Sequence, residues 1–498
     1  MSNSHRPKDG GSYELDEMQD EFETEAFLPS ESYVPPFSQP RRGAAHLFKD
    51  FARSPYGAIF FVALAMFAAL SIYFYVPSTL FIYLVSVCFV LPLYLAIDLI
   101  RLVHRRTLPT SAGAWARLVL GLIATLYALT CAIAVLRGDA YVAPRAPPVR
   151  VENGVYNPRN ETFFIASNLY NNEAILPKYR SALLQFIVDM GPSNVFVSIF
   201  ENDSQDRTPA LLHELDAELE RLGVQRHILT VTKRKGFRRL DRIERLAYLR
   251  NQAMDPMYVS HKDGLNGRPF SKVLFLNDIL FDAATIHTLL DTAGGQFDQA
   301  CAIDYYSIGF YDTWVTRDQD IVRPRPLWPY FARRSDQKRV DAGEAVPVNS
   351  CWNGITAFDA RWFAPPANRT GSNETEPTIA HLPLRGAVND GDEKPARLPL
   401  HFRTSKICYA SECLLSSLDM HRLARPMRPK IYVNPRAIVA YDYRDYFMYH
   451  DLVFWRIVQP WHRIWEDWVA TRLFGLISDV GRKKDQCRDA FRPLWSAP

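Results

Sequence analysis

Apolar and polar positions along the chain fall into two regimes. Tyr56 to Val76 holds no charged residue, Thr79 to Ile100 holds only Asp98 near its end and Pro92 inside, and Leu118 to Leu136 holds none. Each run approaches the ~20 residues that cross a hydrocarbon core. They are too long and too evenly apolar for soluble core helices, and the first begins too late for a cleaved signal. The pattern predicts three membrane helices over 56–136, with Pro77 and Ser78 turning the chain between the first two. One span plus a re-entrant hairpin is the alternative.

From Arg150 onward short apolar runs alternate with helical periodicity. Strands are expected at Thr162–Ala166, Val195–Phe200, His227–Val231, Val273–Leu276 and Ala300–Ile303. Helices are expected at Glu173–Met190, closed by Gly191, from Thr208-Pro209 to Gly223, at Leu240–Met254 and at Ala283–Leu290. In the second helix Leu211, Leu212, Leu215, Leu219 and Leu222 stripe one face, and the threonine-proline start supplies a cap and a first-turn proline. Strands alternating with helices predict an α/β domain with a doubly wound, mostly parallel sheet.

Charge orients the membrane segment. Arg41, Arg42, Lys49 and Arg53 precede the first run, and Arg101, Arg105, Arg106 and Arg117 lie between the second and third. The positive-inside rule places both stretches in the cytosol and everything after Leu136 on the other side. Four Asn-x-Ser/Thr tripeptides, at Asn160, Asn202, Asn368 and Asn373, all follow the third run, as do five of the seven cysteines. An oxidising lumen would allow one or two disulfides and leave an odd thiol; spacing does not assign the pairs. Nine acids between Asp9 and Glu31, with prolines after them, make residues 1–55 a disordered cytosolic tail. The expected organisation is therefore tail 1–55, membrane segment 56–136, lumenal stem 137–158, catalytic domain 159–450 and a helical extension 451–498. A Golgi or endoplasmic reticulum membrane suits that arrangement. The net charge of +4, from 58 basic and 54 acidic residues, argues against a nucleic-acid partner.

Candidate chemistry gathers where the strands end. Ser167 and Asn168 follow the first strand, Glu201-Asn202-Asp203-Ser204 the second, Lys233-Arg234-Lys235 the third, Asn277-Asp278 the fourth and Asp304 the fifth. In open α/β sheets ligands bind outside the carboxyl ends of the strands. Any one cluster is explained by turn chemistry. Acid, amide and base groups converging on one edge point to a phosphate-bearing ligand with a metal. No Gly-x-Gly-x-x-Gly and no Walker loop is present, which argues against a dinucleotide oxidoreductase or a P-loop enzyme. An apolar strand ending in Asn277-Asp278 suits Mn²⁺ or Mg²⁺ clamping a diphosphate, because these ions take hard oxygen ligands.

Seven ordered stretches carry a family resemblance: FIASNLYNNE from Phe164, SIFENDS from Ser198, RIERLAYLRN from Arg242, VLFLND from Val273, YDTWVTRD from Tyr311, SCWNG from Ser350 and SEC from Ser411. Over roughly residues 160–445 the chain resembles the fungal alpha-1,3-mannosyltransferase family that includes capsule-associated proteins. The resemblance implies a GT-A-like glycosyltransferase with GDP-mannose as donor, a glycan acceptor and a retaining outcome. The Asp-x-Asp of that fold reads Leu276-Asn277-Asp278 here, so only the last acid is present. Three spans rather than one anchor also depart from the pattern.

With the resemblance, Ser167, Asn168, Glu201, Asn202 and Asp203 would cradle the nucleoside. Arg250 and Asn251 would face the ribose or diphosphate, beside Asn277, and Asp278 would hold the metal. Asp304 or Glu412 would position the mannose or its acceptor, with Trp352-Asn353-Gly354 as an acceptor wall. The competing reading for these positions is turn capping, a solvated helix face or a core tryptophan. A different class of function, a non-catalytic membrane subunit of a glycosyltransferase complex, is motivated by the lone Asp278 and the additional spans.

Overall fold

The computed structural model describes residues 156–454, save 232–239, 262, 307–308, 327, 365–377, 380–381, 384–386, 389–394 and 407, together with Cys487 and six isolated helical residues between Ile97 and Leu122. The expected tail and most of the membrane segment, stem and C-terminal extension lie outside the described residues. Among the described residues no helix is long and apolar enough to cross a membrane.

The first half of the sheet follows from runs that are apolar on both faces. β1 (Phe163–Leu169), β2 (Val195–Asn202) and β4 (Lys272–Leu276) are buried nearly throughout, as strands covered on both sides must be. β3 (Gln225–Val231) completes the parallel run β3-β2-β1-β4. Side chains of β1 alternate: Phe163 and Ile165 join one core, Phe164 and Ala166 the other.

Helices cover both faces. α1 (Leu176–Met190) buries Tyr179, Leu183, Phe186 and Ile187, carries a proline in its first turn, and stops where Gly191 takes φ 84°. α2 (Thr208–Arg221) buries Leu212, Leu215 and Leu219, and both pack with α4 (Ala283–Leu290) on the first face. α3 (Arg242–Tyr258) lies on the second face, started by Asp241, whose side chain accepts from the Ile243 N–H. α6 (Glu412–Ala424) shares that second core. Between them, α5 (Arg334–Asp341) is short and mostly polar.

The second half adds antiparallel strands to the expected doubly wound, mostly parallel sheet. The described strands form a ten-stranded sheet in the order β3-β2-β1-β4-β9-β5-β14-β8-β7, with β6 paired to β5. Here β5 is Gln299–Tyr306, β6 Gly309–Phe310, β7 Arg317–Asp318, β8 Val346–Ser350, β9 Ile355–Asp359 and β14 Ile431–Ala440. β9 runs antiparallel between β4 and β5, and β8 runs antiparallel to β14. Two short hairpins, β10 (Thr378–Ile379) with β11 (Leu382–Pro383) and β12 (Ala387–Val388) with β13 (Ala396–Arg397), stand apart. The reversal into β9 is made at Trp352-Asn353-Gly354, where Asn353 has φ 30° and Gly354 φ 77°. All five residues of β9 are buried, so its pattern matches that of a central parallel strand and carries no sign of direction.

Two disulfides form from the five late cysteines: Cys301–Cys351 between β5 and the end of β8, and Cys408–Cys487 across 79 residues. Cys413 is the odd thiol and is buried.

Candidate functional site

β1, β2, β4, β5 and β14 all end at one edge of the sheet, and the segment after β4 is clamped there by its backbone. The Asn277 N–H donates to the Gly354 carbonyl at 2.9 Å, and Leu280 exchanges bonds of 2.7 and 3.2 Å with Ala440. Gly354 has no room for a side chain: an added Cβ would lie 2.6 Å from Val439 Cγ2 and 3.3 Å from Asp304 Cβ. The reversing turn thus seats the Asp278 loop directly against β5 and β14.

Below that loop sits a charged pair in an aromatic box. Arg250 Nε donates to Glu412 Oε1 at 2.8 Å, with side chains 12% and 1% exposed. Its guanidinium lies 4.3 Å from the Trp352 ring centroid and 5.0 Å from that of Phe275. Arg250 Nη1 and Trp352 Nε1 both donate to Asn277 Oδ1, at 3.3 and 3.1 Å. Arg250, expected at the diphosphate, therefore faces inward and holds Asn277 from beneath. Trp352, expected as an acceptor wall, is 2% exposed and belongs to the core.

Acids cluster beside it. Asp304, on β5, is fully buried; its carboxyl accepts from the Asp312 N–H and the Tyr441 hydroxyl, both at 3.1 Å. Burial, and then the neighbouring Asp312 charge, push the Asp304 carboxyl up to about 8. Burial likewise raises Asp312 to about 6, opposed by the Val315 N–H and the Arg250 charge. Asp278 is raised by burial as well, against its own backbone N–H, the Asn172 side chain and Arg250. The Tyr441 phenol is pushed well up, by burial first and then by Asp304, Asp312 and Asp278 in turn. One tyrosine hydroxyl thus senses all three carboxyls.

The β1 and β2 ends are more self-contained. Ser167 Oγ is enclosed, 2.8 Å from the Tyr179 hydroxyl and donating to the Leu276 carbonyl at 2.7 Å. Asn168 Nδ2 donates to the Leu249 carbonyl at 2.9 Å, while its Oδ1 is buried with no partner. Glu201 is 2% exposed and accepts from the Ser204 N–H at 2.6 Å. Asn202 and Asp203 are partly exposed, with Asp203 at φ 58°. Asn251 makes two bonds to the Phe402 backbone. The basic run at Lys233 lies outside the described residues.

The structure therefore brings Asp278, Asn277, Arg250, Glu412 and Asp304 into one cluster, with Ser167 and Asn168 alongside. Asp312 and Tyr441 were not singled out from the sequence. Asp312 follows β6, which has two residues; Tyr441 follows β14, whose Pro435 breaks the pattern of a strand. A cavity of about 440 Å³ lined by Tyr156, Arg159, His287 and Asn434 lies elsewhere, and no strand-end residue lines it.

Among the described residues no group of three or more His, Cys, Asp or Glu side chains is arranged to hold a metal ion. Asp278 is a single, half-buried carboxylate at a strand end. Such a donor suits an ion that takes one or two carboxylates and completes its shell with substrate phosphates, as Mg²⁺ does; it does not suit an all-protein cage.

The family described as cryptococcal mannosyltransferase 1 matches residues 162–419. The chain is 25% identical over 298 residues to alpha-1,3-mannosyltransferase CMT1 of Cryptococcus neoformans, covering 56% of this chain and 58% of that one. Solved structures with loose similarity include a mannosyltransferase from Pyrobaculum calidifontis in complex with GDP-Man and Mn²⁺, at TM-score 0.30 and 13% identity over 74% of this chain and 76% of that one. Staphylococcus aureus TarS 1–349 reaches TM-score 0.30 and 11% identity over 67% and 77%.

Proposed function

The chain belongs to the cryptococcal mannosyltransferase 1 family, and on that premise we propose that it is a GT-A-like glycosyltransferase moving mannose from GDP-mannose to a glycan acceptor, forming an alpha-1,3 linkage with retention. The observation that carries the reading is the convergence of Asp278, Asp304, Asp312 and Tyr441 on one strand-end edge. The name of the Cryptococcus relative, an alpha-1,3-mannosyltransferase, agrees with the choice of sugar and linkage.

In this reading the donor diphosphate lies over Asp278, which would hold Mn²⁺ or Mg²⁺. When bound, such an ion offsets the charge that develops on the departing diphosphate. Arg250 and Glu412 keep Asn277, and through it Asp278, in place from below. Asp304 and Asp312 do not both ionise readily so close together, so the edge keeps a proton near neutral pH. Asp312 is the more accessible and the more acidic of the two. The sequons and the two disulfides support a lumenal catalytic domain on a multi-pass Golgi or endoplasmic reticulum membrane protein.

The test is a panel of nucleotide sugars offered to the full chain with mannose-containing acceptors, with and without EDTA, beside Asp278→Asn. Metal-dependent transfer from GDP-mannose is expected, reduced on the order of 10²-fold or more by the substitution. Transfer from a UDP-sugar alone overturns the donor. The lone acid at the metal position favours one other reading, a non-catalytic subunit that binds sugar nucleotide or glycan. Donor binding without turnover at any metal concentration would establish it.

A further inference from the structure

Beyond the buried acids, the same edge carries a group of tyrosines that the fold does not need. Tyr306, at the end of β5, is 41% exposed, and Tyr311, just after β6, is 48% exposed. Their rings meet edge to face, with centroids 5.3 Å apart and planes at 76°. Tyr441 closes the group from the end of β14, at 4.9 Å from Tyr311 and 6.2 Å from Tyr306, with interplanar angles of 63° and 86°. The three rings are set steeply to one another and make a corner whose exposed rings are Tyr306 and Tyr311, with the half-buried Tyr441 behind them. Tyr443, 50% exposed, stands two residues farther along.

The floor of this corner is polar. The Tyr441 hydroxyl donates to Asp304, and Asp312 follows Tyr311 directly. A ligand resting on the rings therefore meets the partly exposed Asp312 carboxyl at its rim. The ring faces call for apolar C–H groups, and the Asp312 carboxyl calls for hydroxyl donors. A pyranose meets both demands: its C–H face suits an aromatic ring and its hydroxyls suit carboxylates.

Sheet order assigns the partner. Asp278 ends β4, which lies between β1 and β2 on one side and β5 and β14 on the other. With the diphosphate over Asp278 and the nucleoside toward β1 and β2, the tyrosine corner lies on the far side, where a second sugar must approach. We infer that Tyr306, Tyr311 and Tyr441 form the acceptor subsite, holding a neutral pyranose of a mannose-containing glycan by ring stacking. The inference rests on the transferase reading for the word acceptor; sugar binding by the corner does not.

The experiment measures binding of a mannotriose to the full chain by saturation-transfer NMR, then acceptor and donor KM in the transfer assay. Tyr306→Ala and Tyr311→Ala change exposed side chains, and the Phe variants at the same positions restore the ring. The expected result is a loss of mannotriose binding and a rise in acceptor KM of about tenfold or more for Ala, equivalent to about 1.4 kcal/mol, with donor KM moving far less. The Phe variants regain binding, because the ring face carries it. Wild-type binding retained by the Ala variants, loss equally severe in the Phe variants, or a parallel rise in donor KM would each overturn the assignment. So would failure of the wild-type chain to bind the mannotriose. Ring-dependent mannotriose binding with no transfer from any donor leaves the sugar corner standing and refutes the transferase reading instead.

Discussion

Arg250→Met separates the inward-facing guanidinium from a solvated helix charge. Methionine keeps an unbranched stem against Trp352 and Phe275 but removes the cation, leaving Glu412 at 1% exposure with its charge unmatched. Ser411 and Cys413 are the other groups on that carboxylate, and neither is charged. Breaking a buried pair from one side costs about 3–5 kcal/mol. At roughly 2–4 °C per kcal/mol for a domain of this order of size, the melting temperature should fall on the order of 10 °C. Replacing both partners, Arg250→Met with Glu412→Leu, removes the stranded charge and should recover much of that loss. Glu412→Gln should cost less than Arg250→Met, since the guanidinium keeps its aromatic faces and the Asn277 oxygen. Thermal unfolding of wild type, Arg250→Met, Glu412→Leu, their double variant and Glu412→Gln at pH 7 and fixed salt measures the cycle. An Arg250→Met protein within about 1 kcal/mol of wild type, or a double variant no better than the single, would refute the buried-pair argument.

Because Asp304 binds its proton more tightly folded, at about 8, than in an unfolded chain at about 3.9, rising pH across that window favours unfolding. Asp304→Asn should therefore flatten the fall in urea midpoint between pH 5 and pH 8; parallel slopes for the two proteins would contradict the assignment. Glycopeptide mapping should find sugar on Asn368 or Asn373 and none on Asn202, which sits at the β2 end with the Ser204 hydroxyl accepting from the Asn171 N–H. Full occupancy of Asn202 in active protein would displace the donor from that edge.

The legible part of the fold was the part written in short, uniformly apolar runs. β1, β2, β4 and β5 are buried on both faces, and the polar residues that end them mark the edge where Asp278 and Asp304 lie. Strand direction is not written in such a run, so β9 reads like its parallel neighbours. β14 was hidden by Asn434-Pro435-Arg436, which the structure absorbs as a register shift between Val433 and Ile438. Arg250 could be placed on a helix but not aimed, because its partner Glu412 is 162 residues away and its aromatic box draws on β4, the β8–β9 turn and the segment before α6. Asp312 lies in the YDTWVTRD stretch that carries the resemblance, but two residues of β6 are too few to register as a strand and so did not place it at the edge.

Among the described strands β14 comes last along the chain, yet it occupies an interior place between β5 and β8. A nascent chain that has not yet delivered Ile431–Ala440 can pair β3, β2, β1 and β4, but it presents β5 with one bare edge and leaves β8 with β7 alone. Such an intermediate leaves unpaired strand edges open to any passing strand. Premature stops anywhere upstream of Ile431 should therefore yield material destined for degradation rather than a smaller working enzyme, even though every acid of the strand-end cluster would already have been made.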